Sequence, residues 1–451
     1  MVSKVSNATL WTFLAFFISQ ILRLFSNLIL TRLLLPEMFG LMAIVTVVRV
    51  GVYMCTEIGL KINIIRHDEA EKSHVLNTAW TMQIVRGILL WILISIIAVC
   101  LILLNNYGVI SPGTLYADSR LPYLLLVIGC VAFIVGFESP NSWLAQRNMQ
   151  LGRLTILELL SQIVGLFVMV SGAWAYHSIW ALVAGGVVSA LLKTVLSHVV
   201  LIGRRSYFCW HKATVIEFLH FGKWLFFSAM ITFFALNGDR VILGGLLTAE
   251  QLGFYAVAYF LATSLKDLVE KLIGNVWYPL LSKVQRDDKG LLVNVYYSLR
   301  RKLDIIIYLC VGFLYVTAPL IIGLLYDNRY QDSGWMLQIL SITMLASGFR
   351  LGNVLLLAMG NPKVGALSVF IRACALIIML PLAYENYGIV GAIWSIAINP
   401  LFEIPIILYF FIKYKIISWG KEFIFLPFVI VGFYMGEAFL YAFDYLRIYF
   451  I

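Results

Sequence analysis

Near its start the chain reads Leu33-Leu-Leu-Pro-Glu-Met-Phe-Gly-Leu-Met-Ala43, and near its middle it reads Leu246-Leu-Thr-Ala-Glu-Gln-Leu-Gly-Phe-Tyr-Ala256. Leu33, Leu34, Glu37, Gly40 and Ala43 recur as Leu246, Leu247, Glu250, Gly253 and Ala256, an offset of 213 residues (246 − 33). Gly136-Phe137 with Asn141 recurs as Gly348-Phe349 with Asn353 at 212 (348 − 136). Tyr176 with Ala181 and Leu182 recurs as Tyr387 with Ala392 and Ile393 at 211 (387 − 176). Three matches in register indicate a duplicated unit of about 210 residues, too long for a solenoid repeat and suited to a two-lobed transporter. Each opening stretch reads as a tight turn between two helices. Leu35-Pro36-Glu37 puts proline at the first helical position with an acid beside the helix N-terminus, and Thr248 with Gln251 has capping-box spacing.

Composition places the chain in a membrane. It is 62% hydrophobic with only 12% charged residues, and its mean hydropathy is +0.93. A soluble protein of 451 residues could not hide that much apolar surface. The expected fold is all-α and polytopic. Spans are expected near 8–31, 38–60, 79–104, 121–143, 154–175 and 179–202, then 221–246, 251–281, 303–325, 335–359, 363–383 and 387–411, with a thirteenth at 423–441. This divides the chain into an N-lobe (1–203), a connector (204–220), a C-lobe (221–412) and a C-terminal segment (413–451). An even number of spans per half starts both halves on the same side, so the two six-helix bundles are expected to be related by a pseudo-two-fold axis along the membrane normal, with a cavity between them.

The net charge of +10 looks like a nucleic-acid signal, but the basic residues concentrate in alternate loops. These loops carry Lys61, Arg66 and Lys72; Arg147 and Arg153; Arg204, Arg205 and Lys212; Lys283, Arg286, Lys289, Arg300, Arg301 and Lys302; Lys363; and Lys413, Lys415 and Lys421. Basic loops remain in the cytoplasm, which places the N-terminus inside and accounts for the charge without a nucleic-acid partner. The first span is too long for a signal-peptide core. The six cysteines lack metal or disulfide spacing and read as small apolar packing groups. No P-loop or nucleophile constellation occurs, so neither a catalytic site nor a cofactor is expected.

The chemistry lies in charges the spans should exclude. Arg23, Arg49, Asp239, Arg240, Lys266, Asp267, Arg350 and Arg372 fall near mid-span. At roughly 3 kcal/mol per charge they would cost on the order of 24 kcal/mol facing lipid, so they must face one another or water. Ser19, Gln20, Arg23, Asn27 and Thr31 share a face of the first helix, and Thr46, Arg49, Tyr53, Thr56 and Glu57 a face of the second. Tyr255, Tyr259, Thr263, Lys266 and Glu270 do so on the eighth, and Thr343, Ser347 and Arg350 on the tenth. Glu138 and Arg350 are repeat-related positions of opposite charge.

Arg23, Arg49, Arg350 and Arg372 have no partner within a turn of their own helix. Together with Arg240 and Lys266 they are the candidate anion-binding set, because a guanidinium presents paired donors to paired phosphate oxygens. Asp239, Asp267, Glu57 and Glu138 are candidates for ion coupling or structural pairing. Asp239 with Arg240 and Lys266 with Asp267 could form ion pairs. Glu57, Glu158, Lys193 and Glu403 lie near enough to the interface for snorkelling or loop pairing.

The run Leu30-Thr-Arg32-Leu-Leu-Leu-Pro36-Glu37-Met-Phe-Gly40-Leu-Met-Ala43 resembles the first-to-second helix signature of the bacterial polysaccharide-transporter, or oligosaccharide flippase, family. Asn237-Gly-Asp239-Arg240-Val-Ile-Leu-Gly244 and Leu252-Gly253-Phe-Tyr255-Ala-Val-Ala258-Tyr259 resemble it in the second half. Its superfamily also holds multidrug-and-toxin exporters and the lipid II flippase. Leu35 departs from the glycine the family commonly places before proline, and the C-terminus is short for members with fourteen helices. The resemblance implies two six-helix lobes around a cationic cavity. It implies movement of an undecaprenyl-diphosphate-linked oligosaccharide from the inner to the outer leaflet of the bacterial inner membrane. Polysaccharide polymerase and chain-length proteins in that membrane are the partners it implies. Two other readings stand beside it: an exporter of small amphiphilic cations, which needs an acidic cavity, and a membrane sugar polymerase or ligase, which usually calls for a large external loop.

Overall fold

The turn that opens the repeat forms as its residues dictate. Leu35 is extended (φ −77°, ψ 151°), Pro36 takes the first helical position, and Glu37 lies in the first turn beside the positive end of the helix dipole. In the second copy the helix begins at Ala249, directly after Thr248, again with an acid, Glu250, in its first turn. The computed structural model describes residues 2–66, 72–148, 150–201, 203 and 206–450. Arg204 and Arg205 of the basic connector lie outside the described residues.

The chain divides into two compact units, Met1–Phe233 with Gly244–Glu250, and Phe234–Leu243 with Gln251–Ile451. The first holds α1 (Val2–Leu33), α2 (Pro36–Met54), α3 (Leu60–Arg66), α4 (Ser73–Asn106), α5 (Arg120–Gly136), α6 (Asn141–Arg147), α7 (Leu151–Tyr176) and α8 (Trp180–Val199). The helix α9 (Lys212–Gly244) contributes to both units. The second holds α10 (Ala249–Leu272), α11 (Tyr278–Asp287), α12 (Lys289–Leu325), α13 (Ser333–Leu340), α14 (Ser347–Ala358), α15 (Pro362–Ile398), α16 (Ile404–Lys413), α17 (Trp419–Phe423) and α18 (Phe428–Phe450). No strand occurs among the described residues.

Among the described residues, ten helical segments are long and apolar enough to cross a membrane, and α5 with α6, bent by 64°, make an eleventh. One of the ten, Pro362–Lys413, has 52 residues. At about 1.5 Å per residue it exceeds twice the roughly 30 Å hydrocarbon core, and Gly388, at φ 62° and ψ −151°, breaks it into two spans. The helix α1, with 32 residues, is also longer than one crossing needs. The repeat landmarks all mark helix ends or breaks. Gly136 ends α5, Gly348 follows the 3-10 segment Ser341–Ala346, Tyr176 ends α7, and Tyr387 precedes the Gly388 break.

Two expectations need correction. The second span was expected to run to residue 60, but α2 stops at Met54, so Thr56 and Glu57 leave the helical stripe that carries Arg49. The basic loop expected between residues 281 and 303 is helical: a π-helical turn, Ile273–Trp277, leads from α10 into α11, and α12 begins at Lys289. Arg300 is therefore not a solvated loop residue. It is fully buried on α12, where it binds Asp304 at 3.1 Å, Tyr296 at 2.9 Å and Glu422 of α17. Burying a guanidinium requires this complete set of partners. Tyr297 donates to Glu422 at 2.6 Å and accepts from the Ser418 amide at 2.9 Å. This anchor fixes the segment leading into α18, which packs on α12 with almost no side chain between the backbones. A Cβ on Gly312 would land on the Val429 carbonyl, and one on Gly432 on the Leu309 carbonyl. Small residues at such crossings let transmembrane helices associate through close backbone contact.

Candidate functional site

In the second unit, four helical elements direct charge to one place. Arg350, on α14, pairs with Glu270 of α10, and its Nε lies 3.4 Å from Oε1 of Glu403. Arg372, on α15, lies 3.9 Å from Oε2 of the same carboxylate. Lys266 Nζ is 3.9 Å from Oε1 of Glu270, one turn along α10. Asn399 fixes Arg372 twice, accepting from its Nε at 3.4 Å and donating to its carbonyl at 2.9 Å. The Glu403 position follows from a 3-10 turn, Asn399–Glu403, between α15 and α16, which leaves the carboxylate 3% exposed.

Beside this network, Tyr255 donates to Oδ2 of Asp239, and the Arg240 guanidinium lies 4.4 Å from the centre of the Tyr259 ring, a cation–π contact. Oδ1 of Asp239 has no hydrogen-bond partner among the described residues, and Asp239 lines a cavity of about 40 Å³ with Tyr259, Lys266, Thr343, Arg372 and Asn399. A water needs roughly 10–15 Å³, so the cavity is large enough for water and too small for a saccharide.

The first unit is organised differently. Arg86 of α4 is held by Glu57 at 3.0 Å, by the Thr56 hydroxyl at 3.1 Å and by the Tyr53 carbonyl at 2.8 Å, and it stacks on the Tyr53 ring at 4.4 Å. Lys193 of α8 pairs with Glu138, at the break after α5, at 3.2 Å. On α1, Ser19 binds Gln162 of α7 at 2.8 Å, so part of the expected stripe serves helix packing. Arg23 is exposed and Arg49 half-buried, and neither guanidinium has a hydrogen bond or ion pair among the described residues.

The six expected cations thus separate. Arg350, Arg372 and Lys266 share Glu270 and Glu403, Arg240 rests on an aromatic ring, and Arg23 and Arg49 keep their donors open. Asp239 bonds Tyr255, with no Asp239–Arg240 bridge among the described residues, because neighbours on a helix point about 100° apart. Lys266 pairs with Glu270 rather than through a described bridge to Asp267. Glu403, expected to snorkel or to pair in a loop, is instead buried as the shared acceptor of two arginines. The signal for it was its place well inside an apolar span, between Pro400 and Pro405.

Residues 29–334, about two thirds of the chain, match a family model described as polysaccharide biosynthesis protein. The chain is 24% identical over 421 residues to a putative O-antigen transporter of Shigella flexneri, covering 86% of this chain and 94% of that one. It is 23% identical over 359 residues to the lipopolysaccharide biosynthesis protein WzxC of Escherichia coli, covering 78% and 70%. Among solved structures it resembles the lipid II flippase MurJ in an inward closed conformation, with TM-score 0.68, 15% identity and coverage of 96% and 99%. The last likeness is one of fold.

Proposed function

The chain belongs to the polysaccharide biosynthesis protein family, and on that premise we propose that it moves an undecaprenyl-diphosphate-linked oligosaccharide from the inner to the outer leaflet of the bacterial inner membrane. It is a multi-pass membrane transporter of polysaccharide biosynthesis, with relatives that include a putative O-antigen transporter. The substrate is anionic at its diphosphate, polar at its sugars and apolar at its tail. A carrier for it needs cations that no internal acid neutralises, because an already paired guanidinium would have to give up its partner to bind phosphate.

Arg49 supplies the observation that carries this reading. It lies half-buried on an apolar helix, and its guanidinium has no hydrogen bond or ion pair among the described residues. Leaving it so toward lipid would cost roughly 3 kcal/mol, which a returning anionic ligand offsets. Arg23 offers a second open fork. In this account the shared ion-pair network of Arg350, Arg372, Lys266, Glu270 and Glu403 keeps the second lobe rigid while the N-lobe and C-lobe rock between inward-open and outward-open states, with the basic loops and the N-terminus in the cytoplasm. Phosphate contact by Arg240, Lys266, Arg350 or Arg372 would then require the network to open. Asp239, Asp267, Glu57 and Glu138 orient bases or carry a coupling ion.

Deleting the gene tests the reading. A deletion strain is expected to lose surface polysaccharide and to accumulate complete lipid-linked repeat units on the cytoplasmic leaflet. Accumulation of nothing, or of single sugars without lipid diphosphate, would contradict it.

A further inference from the structure

The segment joining the two halves of the repeat is held along its length. The amides of Tyr207, Cys209 and His211 donate to Oδ1 of Asn77 at 3.2 Å, Oγ1 of Thr81 at 3.0 Å and Oγ1 of Thr78 at 3.1 Å. All three acceptors are buried on α4. Alternate bonded amides are the signature of an extended chain, whose backbone donors point to opposite sides in turn. The amides between them, those of Phe208 and Trp210, have no partner among the described residues. The outward edge therefore shows two unsatisfied donors, flanked by Phe208, 67% exposed, Trp210, 57% exposed, and the exposed Lys212.

The depth of this edge follows from α4. Thr81 lies inside the apolar run 79–104 and Ser73, which bonds the Tyr207 hydroxyl at 2.9 Å, lies before it. The strap crosses the border where hydrocarbon gives way to headgroups, the level at which tryptophan and tyrosine gather. From Gly203 to Lys212 the sequence carries Arg204, Arg205 and Lys212 and no acid. We propose that the outward edge of Ser206–His211, with Lys212, binds the headgroup phosphate of an anionic phospholipid. The two open amides donate to phosphate oxygens, Lys212 supplies charge, and the Trp210 ring lies along the glycerol and upper acyl region. Unpaired backbone donors at an apolar border are costly, and phosphate oxygens are the charged acceptors a lipid offers near that depth.

Hydrogen exchange on the full chain tests this, in vesicles of POPC alone and of POPC with POPG. The amides of Phe208 and Trp210 are expected to exchange about five-fold more slowly with POPG, as one hydrogen bond of about 1 kcal/mol implies. Those of Tyr207, Cys209 and His211 should be protected equally in both, which reports an intact strap. Lys212→Ala should return the Phe208 and Trp210 rates to those in POPC, and Trp210→Pro, which deletes one outward donor, should reduce the POPG retained in native mass spectra. Fast exchange in both lipids would overturn the proposal and leave the edge open to an extended peptide. Slow exchange in both would overturn it as well, since a zwitterionic headgroup would then suffice.

Discussion

Arg350 and Glu403 form a 3.4 Å ion pair at the place in the second repeat where the first repeat has its own bridge with the charges exchanged. There Glu138 meets Lys193 at 3.2 Å. The two basic-acidic positions are offset by 212 residues (350 − 138) and 210 (403 − 193), continuing the repeat spacing that falls from 213 along the chain. Each bridge ties the broken fourth span of its repeat to the sixth. An ion pair works in either polarity if both members change together, so the duplicated scaffold keeps the contact while its two copies carry different signs.

That symmetry predicts a rescue. Lys193→Glu places a second carboxylate beside Glu138 and should lower stability by about 2 kcal/mol, the scale of a lost hydrogen bond to a charged group. Adding Glu138→Lys should restore most of it. Apparent melting temperatures of the two variants in detergent check this, and a double variant no better than the single one would show that polarity matters at this site.

The Arg300 anchor should be costly to break. Arg300 and Glu422 are both about 1% exposed, and removing one member of such a pair leaves an uncompensated buried charge, worth about 3–5 kcal/mol. Glu422→Ala is therefore expected to destabilise the second unit strongly and to expose residues 413–427 to protease. Gly432→Leu should detach α18 by steric clash with the Leu309 carbonyl while sparing the anchor, and should leave that segment protected.

A surface pair gives a pH test. Burial pushes the Asp118 carboxyl up, but hydrogen bonds from the Arg120 side chain and amide, with its charge, hold the group below the ordinary carboxylate range. A depressed carboxylate contributes stability above its unfolded value, near 3.9, and loses it as pH falls through the lower folded value. Arg120 is 37% exposed, so solvent screening limits the effect to under about 1 kcal/mol. Asp118→Asn should lower the melting temperature slightly and equally at pH 7 and pH 5, and the difference should vanish only under more acidic conditions.

The architecture was readable because it depends on patterns local to the chain. Apolar runs specify spans, and the Leu33–Ala43 repeat specifies two similar halves. The resemblance seen in the Pro36 turn and the Asp239 run holds, since the family match covers both. Partnerships were not readable. Periodicity gives the face on which Arg350 lies but not the residue opposite, and Glu270 and Glu403 come from helices 80 and 53 residues away. Arg300 was misplaced because a helix that continues beyond the hydrocarbon core carries polar residues, and hydropathy alone reads such residues as loop. Glu403 was misplaced because a 3-10 turn rotates it inward.

The central claim is that open arginines in the first unit serve the substrate while paired arginines in the second serve the fold. Transfer of a lipid-linked repeat unit across proteoliposomes, measured for Arg49→Ala and Arg350→Ala alongside their melting temperatures, tests it most directly. Arg49→Ala should melt as the wild type does and lose at least about ten-fold in transfer, the equivalent of 1.4 kcal/mol of lost anion contact. Arg350→Ala should lose stability. Wild-type transfer by Arg49→Ala and Arg23→Ala in well-inserted protein would contradict the account.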